Sequence, residues 1–107
     1  MVITVFRNRL RDENVAEYQT WIGRISALAK TMPGYVSHKT FTADDGERVT
    51  IVEFESEEAQ RGWAKNAEHV TAQRKGRSDF YSEYRIQVCN VVRDSAFRSP
   101  AAAAAAK

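Results

Sequence analysis

Val15-Ala16-Glu17-Tyr18-Gln19-Thr20-Trp21-Ile22-Gly23-Arg24-Ile25-Ser26-Ala27-Leu28-Ala29-Lys30-Thr31-Met32-Pro33-Gly34 is the stretch that decides the fold. Val15, Tyr18, Ile22, Ile25, Ala29 and Met32 recur at three- and four-residue steps, which places them on one face of an amphipathic helix. Pro33-Gly34 closes the segment, because proline cannot continue the hydrogen-bond ladder and glycine takes backbone conformations other residues avoid. Asp12-Glu13-Asn14 precedes it and offers side-chain oxygens to the unpaired N–H groups of the first turn.

Strands flank this helix. Val2 to Arg9 is rich in β-formers, and Tyr35 to Phe41 predicts a second strand. Ala43-Asp44-Asp45-Gly46-Glu47 has the composition of a hairpin turn with Asp-Gly at its centre, leading to a third strand from Arg48 to Phe54. Ser56-Glu57-Glu58 opens a second helix: Ser56 suits the N-cap, and the two glutamates suit the positive end of the helix dipole. Ala59, Trp63, Ala67 and Val70 form its apolar stripe, and Asn66-Ala67-Glu68 reads as a second capping signal, so the helix is expected to break and restart there. After Phe80-Tyr81 a fourth strand is expected from Tyr84 to Arg93. Tyr84, Ile86, Val88 and Val92 would lie on one face, with Arg85, Gln87, Cys89 and Val91 on the other.

The order is β-α-β-β-α-β, an α+β chain of the ferredoxin-like kind: a four-stranded antiparallel sheet with both helices on one face. Residues 1–98 make one domain. Residues 99–107, Ser-Pro, six alanines and Lys107, are low complexity and read as a cloning remnant or placeholder tail. Strand one alternates Val2, Thr4 and Phe6 against Ile3 and Val5, and strand three alternates Val49 and Ile51 against Val52 and Phe54. A sheet with one solvated face should alternate apolar and polar residues, so the face away from the helices is expected to be covered by a second copy. The expected assembly is a homodimer in which two sheets face each other as a barrel.

Composition narrows the function classes. Of 107 residues, 16 are basic and 14 acidic, a formal charge of +2, which gives no electrostatic footprint for nucleic acid. Arg74, Lys75 and Arg77 cluster, but read as a solvated helix face. One cysteine, Cys89, allows no intrachain disulfide and no zinc pattern, and points to a reducing, cytoplasmic setting. No apolar run is long enough to span a membrane, and the start of the chain reads as a strand, not a signal peptide.

Met32-Pro33-Gly34-Tyr35, Asp45-Gly46, Val52-Glu53-Phe54 with Ser56, Trp63 with His69, Gly76-Arg77, Phe80-Tyr81 and the strand Tyr84-Arg85-Ile86-Gln87-Val88-Cys89 occur in an order and spacing that resembles the antibiotic biosynthesis monooxygenase (ABM) family, from Val2 to about Phe97. The resemblance implies the dimeric α+β barrel fold and a pocket between helices and sheet. It also implies one of two chemistries. Some members oxidise aromatic, phenolic or quinol substrates with molecular oxygen and no cofactor, and others bind and degrade haem.

The candidate site residues follow from type and position. Trp63 offers a flat wall for an aromatic substrate, and the family uses a tryptophan at this place. His69 and His38 are the candidate bases, since imidazole takes a proton near neutral pH. On an unbroken helix His69 would stand about 120° from Trp63, and a break at Asn66 would bring it back. His38 is expected to share a strand face with Val36 and Thr40. Asn8, Tyr81, Tyr84 and Arg85 are candidate polar contacts to substrate. The haem-degrading relatives carry their proximal histidine about ten residues past the tryptophan, where this chain has Gln73, a poor iron ligand. Haem is therefore the less favoured reading, and a non-catalytic dimer that binds a small ligand is the third.

Overall fold

The computed structural model describes residues 1–105, and side chains as far as residue 102. The sheet comprises β1 (Val2–Leu10), β2 (Tyr35–Thr42), β3 (Arg48–Phe54) and β4 (Tyr81–Asn90). The helices are α1 (Val15–Ala29), α2 (Glu57–Lys65), α3 (Ala67–Lys75) and a terminal α4 (Pro100–Ala105), with a π-helical turn over Gly76–Phe80. The strands run antiparallel in the order β2-β3-β1-β4, which is the ferredoxin-like α+β arrangement expected from the element order. Of the expected tail, Pro100–Ala105 is helical with Ser99 capping Ala102, and Ala106 and Lys107 lie outside the described residues.

Register sets what each face carries. Val2 pairs with Phe54, Thr4 with Val52, Phe6 with Thr50 and Asn8 with Arg48, so these share the helix side of the sheet. Phe54 has no exposed surface and packs with Ala29 and Trp63 as the core, joined by Ile25, Leu28, Met32 and Val52. Burying a phenylalanine this completely contributes about 1.5–3 kcal/mol. The opposite face carries Ile3, Val5, Val49 and Ile51, with Phe41 half exposed on β2.

Three local expectations change. Asn14 does not cap α1 with its side chain. It adopts a left-handed conformation at φ 63°, and its amide instead reaches across to donate to the Asp79 carbonyl. Asparagine tolerates that backbone, so it serves as the corner between β1 and α1. The fourth strand begins and ends three residues earlier than expected. It starts where Tyr81 pairs with Leu10 and stops at Asn90, because β1 starts at Val2 and no strand remains to pair with. Val92 lies beyond it, almost wholly exposed. Third, the register of β2 shifts between Tyr35 and Ser37, making Val36 the extra residue of a bulge. Tyr35, not Val36, therefore shares the inner face with His38 and Thr40.

Gly34 joins α1 to β2 at φ 79°, and a Cβ built there would lie 2.5 Å from the Cβ of Ala59 in α2. The position needs glycine twice, for its backbone and for the close approach of a helix. Gly34→Ala should therefore destabilise the domain by about 2–4 kcal/mol, seen as a fall in the urea midpoint at unchanged m-value. A wild-type midpoint would mean that α2 does not pack this closely.

Candidate active site

A cavity of about 180 Å3 lies between the helices and the inner face of the sheet. β1 contributes Thr4 and Phe6, and β3 contributes Thr50 and Val52. α1 contributes Tyr18, Trp21, Ile22 and Ile25, while α2 and α3 contribute Gln60, Trp63, His69 and Gln73. Trp21 stands three residues from Tyr18 on the same helix and falls on the stripe that includes Ile22 and Ile25, a spacing the sequence pattern already contained. Val15, at the start of that stripe, is half exposed and outside the cavity.

Trp63 and His69 meet because the helix breaks. Asn66 has ψ 129°, and its side-chain oxygen accepts from the backbone N–H groups of Glu68 and His69 at 3.0 and 3.2 Å, starting α3 at a new angle. The His69 ring then lies flat on the Trp63 indole, with centroids 3.9 Å apart and 14° between planes. His69 Nδ1 is 2.9 Å from the Trp63 carbonyl oxygen. A carbonyl can only accept, so Nδ1 carries the proton and Nε2 carries the lone pair in the neutral ring. Burial pushes the His69 pKa below the ordinary value of 6.5, against the smaller opposing effect of that carbonyl, so the ring is neutral at pH 7.

His38 also reaches the cavity, from β2. Its Nδ1 lies 2.7 Å from the Tyr35 hydroxyl, a group that can donate or accept, so this contact leaves the tautomer open. Burial and, less strongly, the charge of Lys30 lower its pKa. Tyr81 lines the cavity beside Phe6, edge to face at 5.4 Å. The turn at Gly76–Phe80 makes room for it, since a Cβ on buried Gly76 would fall 2.7 Å from the Tyr81 ring.

The remaining candidates gather elsewhere. Asn8, Tyr84 and Arg85 line a second, more polar pocket with Arg7, Glu47 and Glu83, near the end of β1 and the start of β4. Asn8 is buried, 3% exposed, and its side-chain oxygen has no partner among the described residues. The structure thus brings Trp63, His69, His38 and Tyr81 around one cavity and leaves Asn8, Tyr84 and Arg85 outside it. Of the basic cluster at the end of α3 and in the turn after it, Lys75 is neutralised by Glu17 and Asp79, and Arg77 donates to the Tyr84 hydroxyl. Among the described residues there is no cluster of metal-ligating side chains, and no helix is long and apolar enough to cross a membrane.

Haem does not fit the cavity's residues. A space of about 180 Å3 is far below what a tetrapyrrole fills, Gln73 lines the wall, and the histidine there is pressed flat against Trp63.

Comparison with known proteins bears on the family and the fold. The family profile described as antibiotic biosynthesis monooxygenase matches residues 1–75. The uncharacterized protein YqjZ of Bacillus subtilis is 30% identical over 94 residues, covering 88% of this chain and 82% of YqjZ. Among solved structures, Rv0793 from Mycobacterium tuberculosis superposes with a TM-score of 0.77 at 12% identity, covering 89% of this chain and 98% of that one. SnoaB, a cofactor-independent oxygenase from Streptomyces nogalater, does so with a TM-score of 0.72 at 19% identity, covering 87% of this chain and 94% of SnoaB. With its sheet order, its helix-side cavity and a family profile that spans most of its length, the chain belongs to the antibiotic biosynthesis monooxygenase family.

Proposed function

We propose that this chain is a monooxygenase that needs no cofactor, acting on a small aromatic substrate with a phenolic, quinol or activated methylene group, with His69 as the base. The observation that carries this reading is the Trp63 carbonyl on His69 Nδ1. It supports a fixed tautomer with a free lone pair on Nε2, which the tyrosine partner of His38 does not provide. Membership of the family and the likeness to a cofactor-independent oxygenase support the reaction class.

Triplet oxygen reacts slowly with closed-shell molecules but accepts an electron from an electron-rich carbanion or phenolate. For an activated ring methylene, His69 Nε2 takes one proton and leaves the carbanion, which transfers an electron to oxygen. Recombination gives a carbon–oxygen bond and a peroxide. Loss of the second C–H proton breaks the O–O bond, leaving a carbonyl and one water. The substrate loses four electrons and oxygen gains four, so no outside reductant enters. The protein supplies a base, an indole wall and a largely apolar cage.

The wild-type chain should consume oxygen with members of a panel of quinols and hydroxylated benzylic ketones, measured with an oxygen electrode. His69→Gln should lose about 100-fold or more in kcat/KM, and His38→Gln much less. Because His69 must be neutral and its pKa is lowered, kcat/KM should stay level through pH 7 and fall only on the acid side, below 6.5. Tight binding without oxygen uptake across the panel would favour a ligand carrier instead.

We also propose that the chain works as a homodimer. The apolar outer face of Ile3, Val5, Val49, Ile51 and Phe41 lies opposite the face on which α1, α2 and α3 enclose the cavity, and suits a second sheet. Light scattering at micromolar concentration should give twice the monomer mass of 12.1 kDa, and a stable monomer would overturn this.

A further inference from the structure

The cavity wall carries a buried polar group with no partner among the described residues. Several of the wall's other polar groups are already engaged. The Arg48 guanidinium donates to the Tyr18 hydroxyl at 2.6 Å, the Thr50 and Thr40 hydroxyls are bonded to each other, and the Trp63 carbonyl holds His69 Nδ1. Thr4 is buried too, but its hydroxyl oxygen is enclosed within the wall. Gln60 differs from all of these. It lines the cavity from α2, is only 8% exposed, and its side-chain amide makes no hydrogen bond among the described residues. A buried amide left unpaired costs stability, and a molecule in the cavity is what can satisfy it.

Helix geometry places this amide relative to the base. Gln60 precedes Trp63 by three residues, about 4.5 Å along the helix axis and about 60° around it. Side chains on a helix lean toward its N-terminus, so the offset carries over to the side chains and the amide lies on the N-terminal side of the indole. Backbone carbonyls point the other way. His69 Nδ1 meets the carbonyl of Trp63, so the imidazole approaches from the C-terminal side. The two polar groups therefore flank Trp63 along α2, an amide toward one end and a basic nitrogen toward the other.

Building on the monooxygenase reading, we propose that Gln60 determines specificity: its amide binds a ring oxygen of the substrate opposite the position that His69 deprotonates. The substrate class is then an aromatic ring oxygenated at para positions, a 1,4-quinol and not a catechol, whose two oxygens are adjacent. The amide suits that oxygen in either form, since Oε1 accepts from a phenolic hydroxyl and Nε2 donates to a ring carbonyl. Size agrees with a ring of this kind: a cavity of about 150 Å3 holds benzene, and this one measures about 180 Å3.

The test titrates the full chain under argon with hydroquinone, catechol and phenol, following the indole N–H resonances of Trp21 and Trp63 by NMR. Hydroquinone should bind about 5-fold or more tightly than phenol, and catechol about as tightly as phenol. Gln60→Met, close to glutamine in shape, should abolish the preference for hydroquinone and leave the Kd for phenol unchanged. It should also melt at or above the wild-type temperature, because an apolar side chain replaces an unpaired buried amide. Wild type without the preference, or a preference that survives in Gln60→Met, overturns the proposal. A variant that melts lower or fails to fold marks Gln60 as structural and overturns it too. Binding under argon is read apart from turnover. Failure of the monooxygenase reading therefore shows separately, as absent oxygen uptake with the quinol panel while the hydroquinone preference persists.

Discussion

One side-chain oxygen organises the site. Asn66 Oδ1 accepts from two backbone N–H groups at the head of α3, and this ends α2 and starts α3 along another direction. Without the break, residues six apart would face different directions, and His69 would stand clear of Trp63. With it, the imidazole lies on the indole and turns one nitrogen to the Trp63 carbonyl. The tautomer, the neutral state at pH 7 and the placement of the lone pair all descend from that kink. It costs the helix its continuous hydrogen-bond ladder at one point, and the asparagine side chain offsets part of that cost by capping the new segment.

The rest of the molecule holds the two helical layers against the sheet. Gly34 lets α2 approach β2, and the Phe54 ring fills the floor beneath Ala29 and Trp63. Ion pairs clip α1 to the elements after the kink: Arg24 to Glu68 and Lys75 to Glu17. At the far end, Arg7 pairs with Glu47, while Arg9 pairs with Asp45 and Glu83, tying the β2–β3 turn to β1 and β4. These contacts are exposed and screened by salt, so they guide geometry more than they add stability.

The fold was legible because its signals are local and periodic. The Val15-to-Ala29 stripe, Asp45-Gly46 and the Ser56 cap each act within a few residues, and the structure follows them, although α1 stops at Ala29, short of Met32 and of the expected Pro33-Gly34 stop. Even the kink was readable, since Asn66-Ala67-Glu68 has the form of a cap. The extent of β4 was not readable, because a strand's length depends on the partner beside it and β1 begins only at Val2. The bulge at Val36 was equally hidden, as nothing in Tyr35-Val36-Ser37-His38 marks which residue is the extra one. The site was legible in part. Trp63, His69, His38 and Tyr81 converge, whereas Asn8, Tyr84 and Arg85 lie around another pocket. Sequence spacing places a residue on a strand, but the pocket it joins is set by how the helices cross that strand. For the same reason Arg48 and Tyr18, 30 residues apart, carried no sequence signal of their contact.

The turn at Gly76–Phe80 has a bearing on how such a cavity changes size. Tyr81 occupies its place because Gly76 presents no side chain to it. The depth of the cavity is thus governed from behind, by a residue that lines none of it. A methyl group at that position would collide with the tyrosine ring and force it to shift, changing the space although no lining residue is substituted. The range of molecules the cavity admits can therefore drift by substitution outside its wall while Trp63 and His69 stay stacked as they are.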